Sequence, residues 1–206
     1  MKRIIILLIC FITFSRNNFA NEILKKTISD TSRIFKIDNF WIYGNEKFEY
    51  ISLVNSSNDT LKLMACSEFL CSPFGKIKNE EKIKASLLKK FKVVETKKNT
   101  SNILGKYTIL SLKSNFSSLN LLFSNYTGKS RYSYVTSGDI VDSVVLFDNK
   151  IKIGISIEKF YTQFFNNFPN DLKQRYSVII FSPCIDNIPT HIYSFKSGKL
   201  TNVKFE

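Results

Sequence analysis

The chain has one histidine and one tryptophan in 206 residues, little arginine, and only 7 glycines and 4 prolines. A single His leaves no histidine cluster for a metal, and no His/Cys/Asp/Glu group has metal-ligand spacing. No glycine-rich phosphate loop is present, so nucleotide-binding classes are excluded. Scarce arginine and one tryptophan argue against nucleic acid as a partner, because bidentate phosphate and base contacts use Arg preferentially. No stretch approaches the roughly 20 apolar residues a spanning helix needs. No catalytic constellation is visible, and the residues imply no cofactor.

What is present begins with an address. Lys2 and Arg3 precede the apolar run Ile4 to Phe14, and a polar stretch follows as far as Ala20. Eleven residues at 1.5 Å per residue fall short of roughly 30 Å of hydrocarbon but suit the apolar region of an export signal. Cleavage is expected after Ala20, or nearer Ser15, since Asn18 is larger than the usual small residue at −3. Cys10 lies inside the apolar run behind bulky Ile9, which disfavours lipid attachment. Residues 1–20 are therefore read as a signal peptide and 21–206 as one mature domain, with sub-units at 21–75, 76–150 and 151–206. The protein is expected to be exported, to the periplasm or beyond.

The net charge of +13 falls to +10 when Lys2, Arg3 and Arg16 leave with the signal. That surplus favours polyanions such as anionic lipid headgroups. It is densest from Lys76 to Lys98, where nine Lys stand against three Glu around a helical pattern. Asn79 is placed to cap, Glu80 and Glu81 sit in the first turn, and Ile83, Leu87, Leu88 and Phe91 form one stripe. Lys82, Lys89, Lys90 and Lys92 are the candidate contacts to an anionic membrane surface. A core-packed helix with a solvated lysine face is the plainer reading.

Cys66, Cys71 and Cys184 remain after export, so one internal disulfide at most is expected. Cys66 with Cys71 would close a small loop; Cys184 could equally staple the C-terminal part to the loop that carries Cys71. All three could also stay reduced. A Cys184–His191 nucleophile pair is the catalytic alternative, but His191 reads better as an ordinary strand residue. Asp139, Asp142 and Asp148 match no calcium-loop spacing and read as turn residues.

The period of the apolar residues changes along the mature chain. A short helix is expected from Glu22 to Phe35. Strands follow at Trp41–Tyr43, Phe48–Val54 and Leu61–Met64, and after the lysine-rich helix at Tyr107–Leu112, Leu119–Ser124, Tyr132–Thr136 and Ile140–Phe147. A turn is expected at Ser137-Gly138-Asp139. Ser156 then caps a helix with Glu158 in its first turn and Ile157, Phe160, Tyr161, Phe164, Phe165 and Phe168 on one face, ended by Pro169. Strands Tyr176–Phe181, Ile192–Phe195 and Leu200–Phe205 close the chain, the last two joined through Ser197-Gly198. The expected class is α+β, with antiparallel sheets, one or two packed amphipathic helices and a helix-plus-meander unit formed twice, from Asn79 and from Ser156.

The stretch Ile151-Lys152-Ile153-Gly154-Ile155-Ser156-Ile157-Glu158-Lys159-Phe160, with the hairpin Tyr193 to Leu200, resembles a pattern of small exported bacterial proteins. These are the outer-membrane assembly lipoproteins of the SmpA/OmlA kind and the β-lactamase-inhibitor-like domains. The resemblance covers about the last quarter of the chain. It lacks the lipid-attachment cysteine, has Ile155 where the pattern has Met, and shows one leading helix rather than two. It implies an envelope compartment, helices packed on an antiparallel sheet, and a role in binding or assembly. The partner would be a protein or another envelope component. The alternative it implies is a secreted inhibitor or effector acting on another protein.

Overall fold

The computed structural model of the protein describes residues 31–75, 91–101, 105–124, 133–143 and 147–206. The expected signal peptide and the helical pattern from Asn79 to Lys90 lie outside the described residues. Two strands, β1 (Ile34–Ile37) and β2 (Phe40–Gly44), form a hairpin that pairs with β9 (Phe165–Asn167) in a three-stranded sheet. The other nine strands form one sheet. Their order is β3 (Tyr50–Ser56), β4 (Thr60–Cys66), β10 (Val178–Pro183), β11 (His191–Lys196), β12 (Lys199–Phe205), β8 (Ser133–Ile140), β7 (Ser118–Ser124), β6 (Gly105–Lys113) and β5 (Lys92–Ser101).

Alternation places one apolar face of that sheet against the core. Leu61, Leu63 and Ala65 on β4, Ile179 and Phe181 on β10, His191, Tyr193 and Phe195 on β11, and Leu200, Val203 and Phe205 on β12 are all buried. Helix α1 (Glu68–Cys71) follows β4, and α2 (Ile157–Phe164) lays Phe160 and Phe164 on this face. Phe160 meets Tyr193 and Phe195 at ring-centroid distances of 4.9 and 5.0 Å, and Phe164 meets Phe181 at 4.9 Å. A third helix, α3 (Asn170–Lys173), follows β9 and buries Leu172.

The α+β expectation is overturned. Among the described residues 54% are strand and 12% helix, so the fold is β-rich, not a pair of helix-plus-meander units. The reason is that strands distant in sequence pair with one another. β10 runs parallel to β4 and β12 pairs with β8, which joins all three expected sub-units in one continuous sheet. A meander confined to each sub-unit would leave its outer strands with unpaired backbone groups.

Local corrections have local causes. Ile34 and Phe35 belong to β1 rather than to a helix from Glu22. Lys92 to Lys98 belong to the edge strand β5, and all of them are exposed. With both faces in water, β5 shows no period-2 signal.

Ser137-Gly138-Asp139 is no turn, because β8 runs through it and ends at Ile140. Gly138 pairs with Leu119 on one side and Phe205 on the other, and a Cβ there would lie 2.9 Å from the Ser118 carbonyl oxygen. Glycine marks a close approach of backbones here.

The aromatic helix stops at Phe164. Phe165 takes an extended conformation (φ −129°, ψ 139°) and enters β9. Pro169 disfavours the α region for Phe168, and the run Phe-Asn-Asn-Phe has weak helix propensity, so pairing with β2 wins. Asn167 consolidates the switch: its side chain accepts from Tyr43 N at 2.7 Å and donates to the Trp41 carbonyl at 3.0 Å. The stripe is core even so, with Phe160, Phe164, Phe165 and Phe168 all buried.

Two local readings hold. Ser156 is the N-cap of α2, its hydroxyl accepting from Lys159 N. The β11–β12 hairpin turns through Ser197 (φ 51°) and Gly198 (φ 69°), the paired positive angles of a type I′ turn.

Candidate functional site

Among the described residues a groove of about 770 Å³ opens on the surface. Its walls come from the β2–β3 connection, α1 and its flanks, the loop before Ile151 and the end of α2. Four carboxylates line it, Glu46, Glu49, Glu68 and Asp148, against two ammonium groups, Lys47 and Lys150. In a chain carrying +13 this is a local reversal of sign. Glu46, Glu49 and Asp148 have no ion-pair partner among the described residues.

The groove is held in shape by hydrogen bonds between its walls. The Gln163 carbonyl, in the last turn of α2 where no intrahelical donor reaches, accepts from Asn45 Nδ2 at 2.8 Å and from Lys47 Nζ at 3.0 Å. Asn45 Oδ1 turns back to accept from Lys47 N at 3.1 Å, and the Ser67 hydroxyl donates to the Lys47 carbonyl at 2.7 Å while capping α1. Burial draws the Lys47 pKa below the ordinary lysine value, with Glu46 opposing the shift. Asn149, 5% exposed, lines the groove; its Oδ1 accepts from Ile151 N at 3.3 Å, while its buried Nδ2 has no acceptor. A buried donor without a partner costs on the order of 1–3 kcal/mol.

The three cysteines resolve in a way the spacing did not foresee. Cys66 and Cys184 form the disulfide, with their Cα atoms 5.2 Å apart and a sequence separation of 118. The parallel register of β4 and β10 sets Ala65 beside Pro183 and so brings the two following residues together. Cys71 is left as a free thiol, and burial together with nearby Glu49 raises its pKa, which makes it a poor nucleophile.

A Cys184–His191 nucleophile pair is ruled out by this geometry. Cys184 is bonded to Cys66, and His191 is fully buried with both ring nitrogens committed. Nε2 donates to the Leu70 carbonyl at 3.1 Å, and Nδ1 accepts from the Tyr193 hydroxyl at 3.3 Å. Burial depresses its pKa to about 3, so the imidazole is neutral.

The three aspartates do not converge. Asp142 accepts from the Ser114 hydroxyl, which holds its carboxyl below the usual range. Asp139 accepts from the Asn202 amide, and Asp148 lines the groove. No cluster of three or more His, Cys, Asp or Glu fit for a metal occurs among the described residues. Of the four lysines expected to meet an anionic surface, Lys92 stands exposed at the start of β5; Lys82, Lys89 and Lys90 lie outside the described residues.

The groove residues were not singled out from the sequence. They come from three loops up to about a hundred positions apart, and the one linear hint is Glu46 and Glu49 close together in a lysine-rich chain. A second exposed feature, the pair Trp41 and Tyr43 on the outer face of β2, 57% and 43% exposed, was read only as part of a strand. Lys36 Nζ lies 5.7 Å from the Trp41 ring.

No family model, no curated protein and no solved structure matches the chain.

Proposed function

We propose that the protein is an exported, non-enzymatic binding or assembly protein of the bacterial envelope. The observation that carries the compartment is the Cys66–Cys184 disulfide. It staples the ends of two paired core strands, and such bonds form and persist where thiols are not kept reduced. The export signal at Lys2 to Ala20 points the same way.

Binding is the activity the described surface supports best. A groove walled by short polar loops carries Glu46, Glu49 and Asp148, which have no ion-pair partner among the described residues, while the one histidine is sealed in the core. The role implied by the resemblance to envelope-assembly proteins agrees with this reading.

Fractionation of a bacterial host expressing the full chain tests the proposal. The expected species is periplasmic or membrane-associated, begins near Asn21, and exposes one thiol to alkylation under denaturing, non-reducing conditions. A cytoplasmic species with intact Met1 and three reactive mature-region thiols would overturn it. Accumulation in the medium would favour the inhibitor or effector reading instead.

A further inference from the structure

Alternation on β2 decides which of its side chains meet water. Ile42 points inward and is fully buried, so Trp41 and Tyr43 on either side of it stand on the opposite face, 57% and 43% exposed. The hairpin register sets Lys36 across from Trp41 and Ile34 across from Tyr43, and Asn167 of β9 flanks Tyr43. The outer face of the three-stranded sheet is therefore two rings in a row with an ammonium beside them, Lys36 Nζ lying 5.7 Å from the Trp41 ring. The Asn167 amide bonds the backbone of both ring-bearing residues, at Tyr43 N and the Trp41 carbonyl, so the rings stand on a strand fixed from both sides. Trp41 is the one tryptophan of the chain, and a core rich in phenylalanine leaves it in water.

Area and charge decide what meets this face. The exposed parts of the two rings offer on the order of 200 Å², far short of the roughly 800 Å² that each partner gives to a stable protein interface. Neither ring lines the groove, so a ligand held there leaves them uncovered. The hairpin Ile34–Gly44 carries two charged side chains. Asp38 is matched by Arg175 at 2.6 Å, whereas Lys36 has no ion-pair partner among the described residues. The carboxylates of the groove begin at Glu46, past the end of β2 that lies away from the hairpin turn. The Lys36 and Trp41 end of a strongly basic chain is thus open to an anionic surface. Indole and phenol rings beside a lysine match the headgroup layer of a bilayer: the ring bodies leave water, while the N–H, O–H and ammonium groups stay among phosphates and water.

We infer that the outer face of β1 and β2 is a membrane contact, with Trp41 and Tyr43 seated in the headgroup layer of a bilayer that contains anionic phospholipid and Lys36 beside a lipid phosphate. The inference rests on the envelope reading above but concerns only this face.

Vesicle sedimentation and tryptophan fluorescence on purified protein beginning near Asn21, with its disulfide formed, test it. The vesicles are phosphatidylcholine alone or an equal mixture with phosphatidylglycerol. The protein is expected to sediment with the mixed vesicles and about tenfold less with the neutral ones. The emission of Trp41, free of any other tryptophan, is expected to shift to shorter wavelength on binding. Trp41→Ala with Tyr43→Ala is expected to weaken sedimentation about tenfold or more while leaving the circular dichroism unchanged, because both rings are exposed. Should that variant fail to fold, quenching of Trp41 in the unaltered protein by lipid brominated near the headgroup is expected in its place. Absence of sedimentation, sedimentation without an emission shift, equal retention by neutral vesicles, undiminished binding by the folded variant, or absence of quenching would each overturn the inference. Because the assay is performed on purified protein, its failure is separable from a failure of export.

Discussion

The imidazole of His191, on β11, is bonded through Nε2 to the carbonyl of Leu70, 121 residues earlier in α1, at 3.1 Å. That contact ties α1 to the sheet next to the groove wall and satisfies a carbonyl at the end of a four-residue helix. It also fixes the tautomer: the proton sits on Nε2, and Nδ1 receives the Tyr193 hydroxyl. Phe69 and Phe205 pack edge-on against the ring, 5.8 and 4.8 Å between centroids, so no water is left to solvate a charge.

The first prediction follows from that burial. In the unfolded chain His191 takes up a proton near its ordinary value of 6.5, whereas in the folded protein it stays neutral down to about 3. Its folded pKa is depressed, so its contribution to stability is complete above 6.5 and is lost as pH falls below that value. The slope is about 1.4 kcal/mol per pH unit. Urea unfolding at pH 7.0, 6.0, 5.0 and 4.5 should show about 2–3 kcal/mol lost across the series, and His191→Gln should be weaker at pH 7 but nearly flat over the same range.

Phe164 offers the direct test of the aromatic core. It touches Phe48, Phe69, Phe160 and Phe181, with centroids within 6 Å in each case. Phe164→Ala should cost about 3–5 kcal/mol through lost transfer energy and a cavity the β-sheet cannot close. A cost under about 1 kcal/mol by chemical denaturation would show that the stripe is not the centre of the core.

The disulfide should be worth about 2–5 kcal/mol, since it closes a loop spanning 118 residues of sequence. Cys66→Ala with Cys184→Ala should lower the unfolding free energy from urea denaturation by that amount, while Cys71→Ala should change it little. Mass mapping should recover residues 66 and 184 in one crosslinked fragment. A Cys71-containing crosslink would refute the pairing.

Gly138→Ala tests the junction of the two halves of the large sheet. An added methyl would meet the Ser118 carbonyl and Leu119 Cδ1 at 2.9 Å, and backbone on one side cannot give way cheaply. A loss of about 1–3 kcal/mol is expected. Hydrogen exchange should quicken at Val203 to Phe205, which pair with Gly138 and its neighbours. Unchanged stability would mean that β8 and β7 are further apart at Gly138 than the structure has them.

Much of what was legible in the sequence was local. Ser197-Gly198 between two alternating runs marks a tight hairpin because glycine takes positive φ without steric cost, and Ser156 before Glu158 specifies a helix start because a hydroxyl there meets free N–H groups. The same local logic failed at Phe165. The stripe continues at helical spacing through Phe168, yet β2 offered Phe165 and Asn167 a strand to pair with, and pairing outweighed periodicity. It failed again at β5, where lysines on both faces remove the alternation by which a strand is recognised.

By itself the sequence determined a charged and apolar N-terminal stretch, a strongly basic net charge, a phenylalanine-rich core and the positions of most strands and turns, because each depends on composition or on residues within a few positions of one another. The tertiary structure decided that β4 runs parallel to β10, that Cys184 therefore meets Cys66 rather than Cys71, and that Glu46, Glu49 and Asp148 face one groove. Those outcomes depend on which distant strands pair. Pairing is chosen by the summed burial of whole sheet faces and the satisfaction of every edge, and no short window of residues carries that information.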